Sequence, residues 1–416
     1  LGLAVPVIPV QTAAQIETWT RGGVQMRGGV IRFSEMEQVI FGQAAADAVK
    51  AEAQRLDRKK VFLLVGKTMN DTTDEVDRVA AALGDRYAGR FAGIPPHTPR
   101  DKVVEAANAA RAAGADLLVT FGGGSVTDAG KVMQVCLEHG VTDMAELDAY
   151  CIGTTDDGKV TMPDLRPATV RQITVPTTLS GGEFNPLGGC TDPRIKVKQG
   201  YRHPSLVPLS VILDPAPTVH TPEWVWLSTG IRAVDHAVEA ICSPQTNAYC
   251  DGASLHALRL LSSGLARVKA DPTDMEGRLQ CLQGTWLSMT AVTAGVPMGA
   301  SHAIGHILGG TCDVPHGYTS CIMLPTVLRW NAEEDAHRER QKIIAEALGQ
   351  PGAAAGDVLH ELIDGLGLPR SLSAVGVGPD QFDVVAKNSL HDRWLHTNPR
   401  KVNGLDDVMT LLNMAA

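Results

Sequence analysis

From Lys60 onward the chain alternates short, unbroken apolar runs with longer stretches in which apolar residues recur every third or fourth position. Lys60–Gly66 and Ala115–Phe121 are continuous apolar runs bounded by turn residues, the pattern of strands buried on both faces of a parallel sheet. Around them, Ala44–Leu56, Asp74–Leu83 and Arg100–Ala113 carry helical spacing and much alanine. Tyr87–Ile94, Gln172–Val175 and Leu209–Asp214 read as further strands. This alternation predicts a doubly wound α/β unit. Ahead of it, Val24–Arg27 and Val30–Phe33 flank Gly28-Gly29, which predicts a hairpin. Beyond Asp214-Pro-Ala-Pro-Thr218 the strand-like runs stop, and Leu227–Ile241, Ala248–Val268, Glu276–Ala294 and Leu324–Asn331 follow with helical spacing. The predicted organisation is an α/β nucleotide-binding domain with a mainly parallel sheet over 1–215, followed by an all-α domain over 216–416.

Composition narrows the function classes. A chain of 416 residues with 44% hydrophobic residues is long enough for two buried cores. The net charge of −9, with no Lys/Arg-rich run, excludes a phosphate-tracking surface and so argues against nucleic acid. The eight cysteines contain no CxxC pair, which suits a reducing, cytoplasmic setting. The apolar N-terminal stretch lacks a cationic n-region and is too short to span a bilayer, so it reads as a loose tail and no membrane role is expected.

Two stretches carry candidate chemistry. Gly122-Gly-Gly-Ser125-Val-Thr-Asp128-Ala-Gly-Lys131 follows a strand and opens a helix. Its glycines let backbone approach a phosphate, and the free amides and positive end of the helix face the negative charge. After the Gln172–Val175 strand, Thr177 and Thr178 offer hydroxyls where such sheets bind nucleotides. Farther on, His302 and His306 stand four apart on one helical face, and His316 follows a Gly/Pro-marked turn that can fold it back toward them. His236 lies on an earlier helix, with Arg232 one turn before it on the same face.

Taken in order, the motifs GGGSVTDAGK, VPTTLSGGEFNP, LDP, TGIRAVDHAVEA, GASHAIGHILGG, PHG and NPRKV resemble the iron-containing alcohol dehydrogenase superfamily from about Phe41 to the end. The resemblance implies the dehydroquinate synthase-like, iron alcohol dehydrogenase architecture and hydride transfer between NAD(P) and a substrate beside a divalent metal, Fe or Zn. By position, Gly122, Gly123, Gly124, Ser125 and Asp128 would hold the cofactor phosphates, with Thr177, Thr178 and Lys198 lining the same site. His236, His302 and His316 match the three histidine ligands, and His306 matches the histidine near the nicotinamide. The relatives are usually dimers, so a homodimer is expected.

One departure changes the chemistry. The family's aspartate ligand, four residues before the first histidine, is replaced by Arg232, a permanent cation with no lone pair to give. Asp235 is a poor substitute, since it stands about 100° round the helix from His236. TTLSGGEFNP and GHILGGTCDVPH are similar to the maleylacetate reductase branch, which also tends to lack that aspartate, although Ser301 and Gly317 stand where that branch often has histidine and alanine. The resemblance therefore implies metal-independent, NAD(P)H-dependent reduction of an activated carbon–carbon double bond in an oxo-dicarboxylate from aromatic breakdown. In this reading Arg232 binds the carboxylate or stabilises the enolate, and His306 or His302 supplies the proton. The alternatives are a metal-dependent alcohol dehydrogenase and a nucleotide-binding protein without catalysis; for Arg232 itself the plain alternative is an ion pair with Glu239 or Asp235. NAD-selective relatives carry an aspartate at the Gly66 position. Its absence, with Lys67 next to it, predicts use of NADPH as well as NADH.

Overall fold

A computed structural model describes residues 17–21, 24–154, 160–195 and 197–416. The apolar N-terminal tail read from the sequence lies outside these, as do 155–159 and Lys196.

The hairpin exists, but in a different place. β1 (Glu17–Arg21) pairs antiparallel with β2 (Val24–Gly28), so Gly28-Gly29 ends the second strand instead of forming the turn. The alternation seen in Val24–Arg27 belongs to one strand whose partner precedes it.

The six-stranded sheet comprises β3 (Gln38–Phe41), β4 (Val61–Val65), β5 (Tyr87–Ala92), β6 (Leu117–Gly122), β9 (Arg171–Pro176) and β12 (Ser210–Leu213). β7 (Gly153–Thr154) pairs with β8 (Val160–Thr161) as a separate small ribbon, and β10 (Leu187–Asp192) with β11 (Val197–Arg202) as another. The sheet order is β3-β12-β9-β6-β4-β5, and all its pairings are parallel. Every residue of β4, β6 and β12 is buried, as continuous apolar runs require. One face packs on α1 (Ala45–Arg55) and α3 (Glu75–Leu83), with the short α2 (Lys67–Thr72) before α3. The other face packs on α4 (Arg100–Ala112) and α5 (Gly124–His139). Since α2 and α3 follow β4 on one face while α5 follows its neighbour β6 on the other, a crevice opens between the ends of β4 and β6, the place where such sheets bind ligands.

Asp214, of the LDP motif, accepts the Ala45 amide at 2.7 Å and so caps the first helix from the strand beside it. After β12 every regular element is helical: α6 (Glu223–Cys242), α7 (Ala248–Ala270), α8 (Met275–Thr293), α9 (Ala300–Cys312), α10 (His316–Asn331), α11 (Asp335–Ala347), α12 (Ala355–Gly365), α13 (Pro379–Ser389) and α14 (Leu405–Met414), with short 3-10 turns between them. Among the described residues no helix is long and apolar enough to cross a membrane. The eight cysteines are free thiols.

Candidate active site

α9 carries two of the histidines, and its start is fixed from two directions. Glu239, on α6, accepts the amides of Gly299 and Ser301, both at 2.8 Å, and Asn398 accepts that of Ala300 at 3.1 Å. These carboxylate and amide oxygens satisfy the orphan donors of the first turn and place negative charge at its positive end. Gly299 is needed for this approach, since a Cβ there would stand 2.9 Å from Asn398 Oδ1 and 3.0 Å from Glu239 Oε1.

Glu239 then reaches one turn farther. Its Oε2 accepts His302 Nδ1 at 2.9 Å, and Asp235 Oδ2 lies 3.4 Å from the same nitrogen. Asp235 Oδ2 also accepts the hydroxyls of Ser320 at 2.7 Å and Ser301 at 2.9 Å. Arg232 Nη1 donates to Ser320 Oγ at 3.1 Å and stands 3.8 Å from Asp235. The ion pair foreseen as the plain alternative for Arg232 is thus present with Asp235, though loosely. The other N–H groups of the guanidinium have no partner among the described residues. Burial and the Arg232 charge pull the His302 pKa down, but Asp235 and Glu239 outweigh them and raise it. Burial pushes the Asp235 carboxyl up, and His302, Arg232 and Ser320 outweigh it in the opposite direction. The two shifts describe one buried imidazolium–carboxylate pair.

Three buried polar atoms at this point have no partner: His302 Nε2, His236 Nδ1 and Asp235 Oδ1. The rings of His236 and His302 are 4.8 Å apart. Burial, reinforced by the charges of His302, Arg232 and His306, drives the His236 pKa well below its ordinary value, so this imidazole is neutral. Unpaired buried groups clustered at one spot mark the position of a polar guest.

His306 stands 6.5 Å from the His302 ring, edge to face, as the shared helical face predicts. Its Nδ1 meets Asp392 Oδ2 at 2.9 Å, and the Trp394 ring lies 5.1 Å away. Unlike His302, with 1% of its side chain exposed, His306 keeps 36% exposed. Burial lowers its pKa, as do Arg232 and His302, while Asp392 opposes them. His316 opens α10 beside Gly309 and is solvent-accessible at the cleft. Burial depresses its pKa well below the ordinary value, with the charges of Arg232 and Lys198 acting in the same direction.

The side chains do not gather the three histidines that the family resemblance names as metal ligands into one donor set. Among the described residues, the one group of His, Cys, Asp or Glu ligand atoms within 4.8 Å of one another is Asp235, Glu239 and His302. His236 and His316 are outside it. Within it, both Glu239 oxygens and Asp235 Oδ2 already accept backbone amides or serine hydroxyls, His302 Nδ1 is committed to Glu239, Arg232 adds a fixed positive charge, and Asp235 Oδ1 is left free. Asp235 therefore faces the back of His302, as its 100° offset from His236 requires.

The nucleotide side fits its expected guest. The loops after β4, β6 and β9 are stitched together by Gly66 N donating to Phe121 O at 2.9 Å and Thr177 N to Gly122 O at 3.0 Å. Gly123 lies against Thr178, where a Cβ would come within 2.9 Å of the threonine methyl. The amides of Gly124 and Ser125, at the start of α5, have no partner among the described residues, which leaves them for an anion. Lys198, on β11, points back to Asp128 of α5 at 3.5 Å. Lys67 opens α2 beside this crevice and is ion-paired with Asp71 at the surface. Of the basic residues near the β10–β11 ribbon, Arg194 is tied to Asp192 and Asp148, and His203 accepts the Ser205 amide.

Asp392, Ser320 and Trp394 were not foreseen. Nothing in their spacing marks them, because loops and a separate helix deliver them. The network role of Glu239 was visible in principle, since Asp235 and Glu239 are four apart on one helix and share a face.

The sequence pattern of the family described as "Iron-containing alcohol dehydrogenase" matches residues 37–215, and that of the "Fe-containing alcohol dehydrogenase family, C-terminal" matches 226–416. The chain is 33% identical to Dehydrogenase ALT3 of Alternaria alternata over 388 residues, covering 86% of this chain and 98% of that one. It is 32% identical to Maleylacetate reductase 2 of Cupriavidus pinatubonensis over 379 residues, covering 91% and 94%. The crystal structure of maleylacetate reductase from Rhizobium sp. strain MTP-10005 superposes with a TM-score of 0.77 at 28% identity, covering 94% of this chain and 98% of that one. The chain belongs to the iron-containing alcohol dehydrogenase family, in its maleylacetate reductase-like branch, and is an NAD(P)-dependent oxidoreductase.

Proposed function

We propose that this enzyme reduces an activated carbon–carbon double bond of an oxo-dicarboxylate, as the names of its maleylacetate reductase relatives suggest, and does so without a metal. The observation that carries this reading is Arg232, a guanidinium fixed by Ser320 and Asp235 whose remaining N–H groups have no partner among the described residues. The nicotinamide cofactor supplies the hydride. Addition to the double bond sends its electron pair toward the conjugated oxygen, and the open edge of Arg232 holds that negative charge or the adjoining carboxylate. His302 Nε2, buried and unpartnered, donates to the same oxygen. His306 protonates the neighbouring carbon. Its exposed ring can be recharged from solvent, whereas His302 is sealed in, and Asp392 holds the imidazolium by its other nitrogen.

A substrate panel tests this. NAD(P)H oxidation with maleylacetate, and little with short aldehydes, is expected; the reverse preference supports the alcohol dehydrogenase reading, and activity on neither supports a binding protein. The crevice beside Gly66 and Lys67 predicts that NADPH serves as well as NADH. Lys67→Ala should raise the KM for NADPH about ten-fold and leave that for NADH nearly unchanged. A large preference for NADH in side-by-side kinetics contradicts this.

A further inference from the structure

His97 is held beside His316 at unusual conformational cost. It and Thr98 both adopt left-handed backbone, with φ of 62° and 55°, a region non-glycine residues seldom occupy. The segment is held there from several sides. Thr191 of β10 donates its amide to Thr98 O at 2.9 Å and its hydroxyl to His97 O at 2.8 Å. Thr98 Oγ1 donates to Ser125 O at 3.2 Å, and the following Arg100 side chain is buried against Asp148 and Asp192. Strain so heavily supported is a mark of function.

What it presents is an imidazole with 48% of its side chain exposed, edge to face with His316 at 6.4 Å, reaching from the sheet side of the cleft to the helical side. Arg232 and Lys198 both bear on His316, two fixed cations, so this wall of the cleft attracts anions. A carboxylate already lies near the ring: Asp313 Oδ1 is 3.5 Å from His97 Nε2, beyond a good hydrogen bond, on a side chain 92% exposed and easily displaced.

We propose that His97 anchors the substrate carboxylate farther from Arg232, so that the cleft selects dicarboxylates over monocarboxylates. This rests on the proposed reduction of an oxo-dicarboxylate and adds the residue that reads its second charge. The imidazole replaces Asp313 with the substrate's distal carboxylate, while Arg232 holds the end where charge develops.

The test is calorimetric titration of adipate and of hexanoate into the NADP+-bound enzyme, for the wild type, His97→Asn and His97→Gln, with maleylacetate kinetics run in parallel. Asparagine tolerates left-handed backbone, and unchanged NADP+ affinity shows that each variant is folded. The expected result is adipate affinity about ten-fold weaker or worse in both variants, hexanoate within about two-fold of wild type, and a raised KM for maleylacetate with a smaller change in kcat. Equal losses for the two acids, unchanged adipate binding, or a loss falling on NADP+ overturns the anchor. A wild type that turns over maleylacetate while His97→Asn binds adipate normally defeats this inference alone. A wild type that neither reduces maleylacetate nor binds adipate defeats the proposed function, and the anchor with it.

Discussion

Arg232→Ala should lower kcat/KM for the oxo-dicarboxylate by about two to three orders of magnitude, the usual cost of removing a preorganised group from the site of developing charge. The loss should appear as both a higher KM and a lower kcat, because the same guanidinium binds carboxylate and steadies the enolate. NADPH binding should barely change, since the phosphate-facing amides of Gly124 and Ser125 lie on the sheet side of the cleft. The fold should survive, because Asp235 keeps Ser301, Ser320 and His302 as partners once the guanidinium is gone. Arg232→Lys should recover part of the rate, as it restores the charge but not the two-pronged geometry. Steady-state kinetics with both substrates varied, beside a melting curve, checks this; equal rises in KM for dicarboxylate and NADPH would contradict it.

His306→Asn should lower kcat by about two to four orders of magnitude, the range for loss of a general acid, and Asp392→Asn by about ten- to a hundred-fold. The second effect separates positioning from mere structure through pH. Three charged groups bear on His306: Asp392 favours its protonated form, while Arg232 and His302 oppose it, as does burial. As the imidazolium is the active acid, activity falls when pH rises through its pKa. Removing the Asp392 charge lowers that pKa, so the alkaline fall in kcat should move to lower pH in Asp392→Asn. A variant with reduced kcat but an unmoved profile would show that Asp392 only packs the loop.

The sequence made the sheet legible because its strands are buried on both faces: β4 and β6 appear as unbroken apolar runs, and their ends place the glycine loop and Gly66 in one crevice. What could not be read was whatever depends on pairing between distant segments. The first hairpin was displaced because the alternation in Val24–Arg27 says that a strand exists but not on which side its partner lies. The β10–β11 ribbon hid behind a run of charges, since Lys198 and Arg194 meet their acids only when the ribbon folds back over α5. In the site, helical spacing brought His302 to His306 and turned Asp235 away from His236. The carboxylate behind His306 comes from a loop eighty-six residues farther on, with no periodicity to announce it. The metal question shows both sides: the cation at Arg232 is plain in the sequence, whereas the commitment of Asp235 and Glu239 to serines, amides and His302 becomes visible only in three dimensions.

The claim on which this chemistry depends is that a guanidinium has taken over the work of a metal. It is tested most directly by dialysing the enzyme against chelator, measuring iron and zinc by elemental analysis, and assaying maleylacetate reduction on the same sample. Undiminished turnover with less than about 0.1 metal per chain is predicted, because a permanent cation stands where the family's aspartate ligand would. Activity that disappears with the metal and returns on adding zinc or iron, at about one ion per chain, would contradict it.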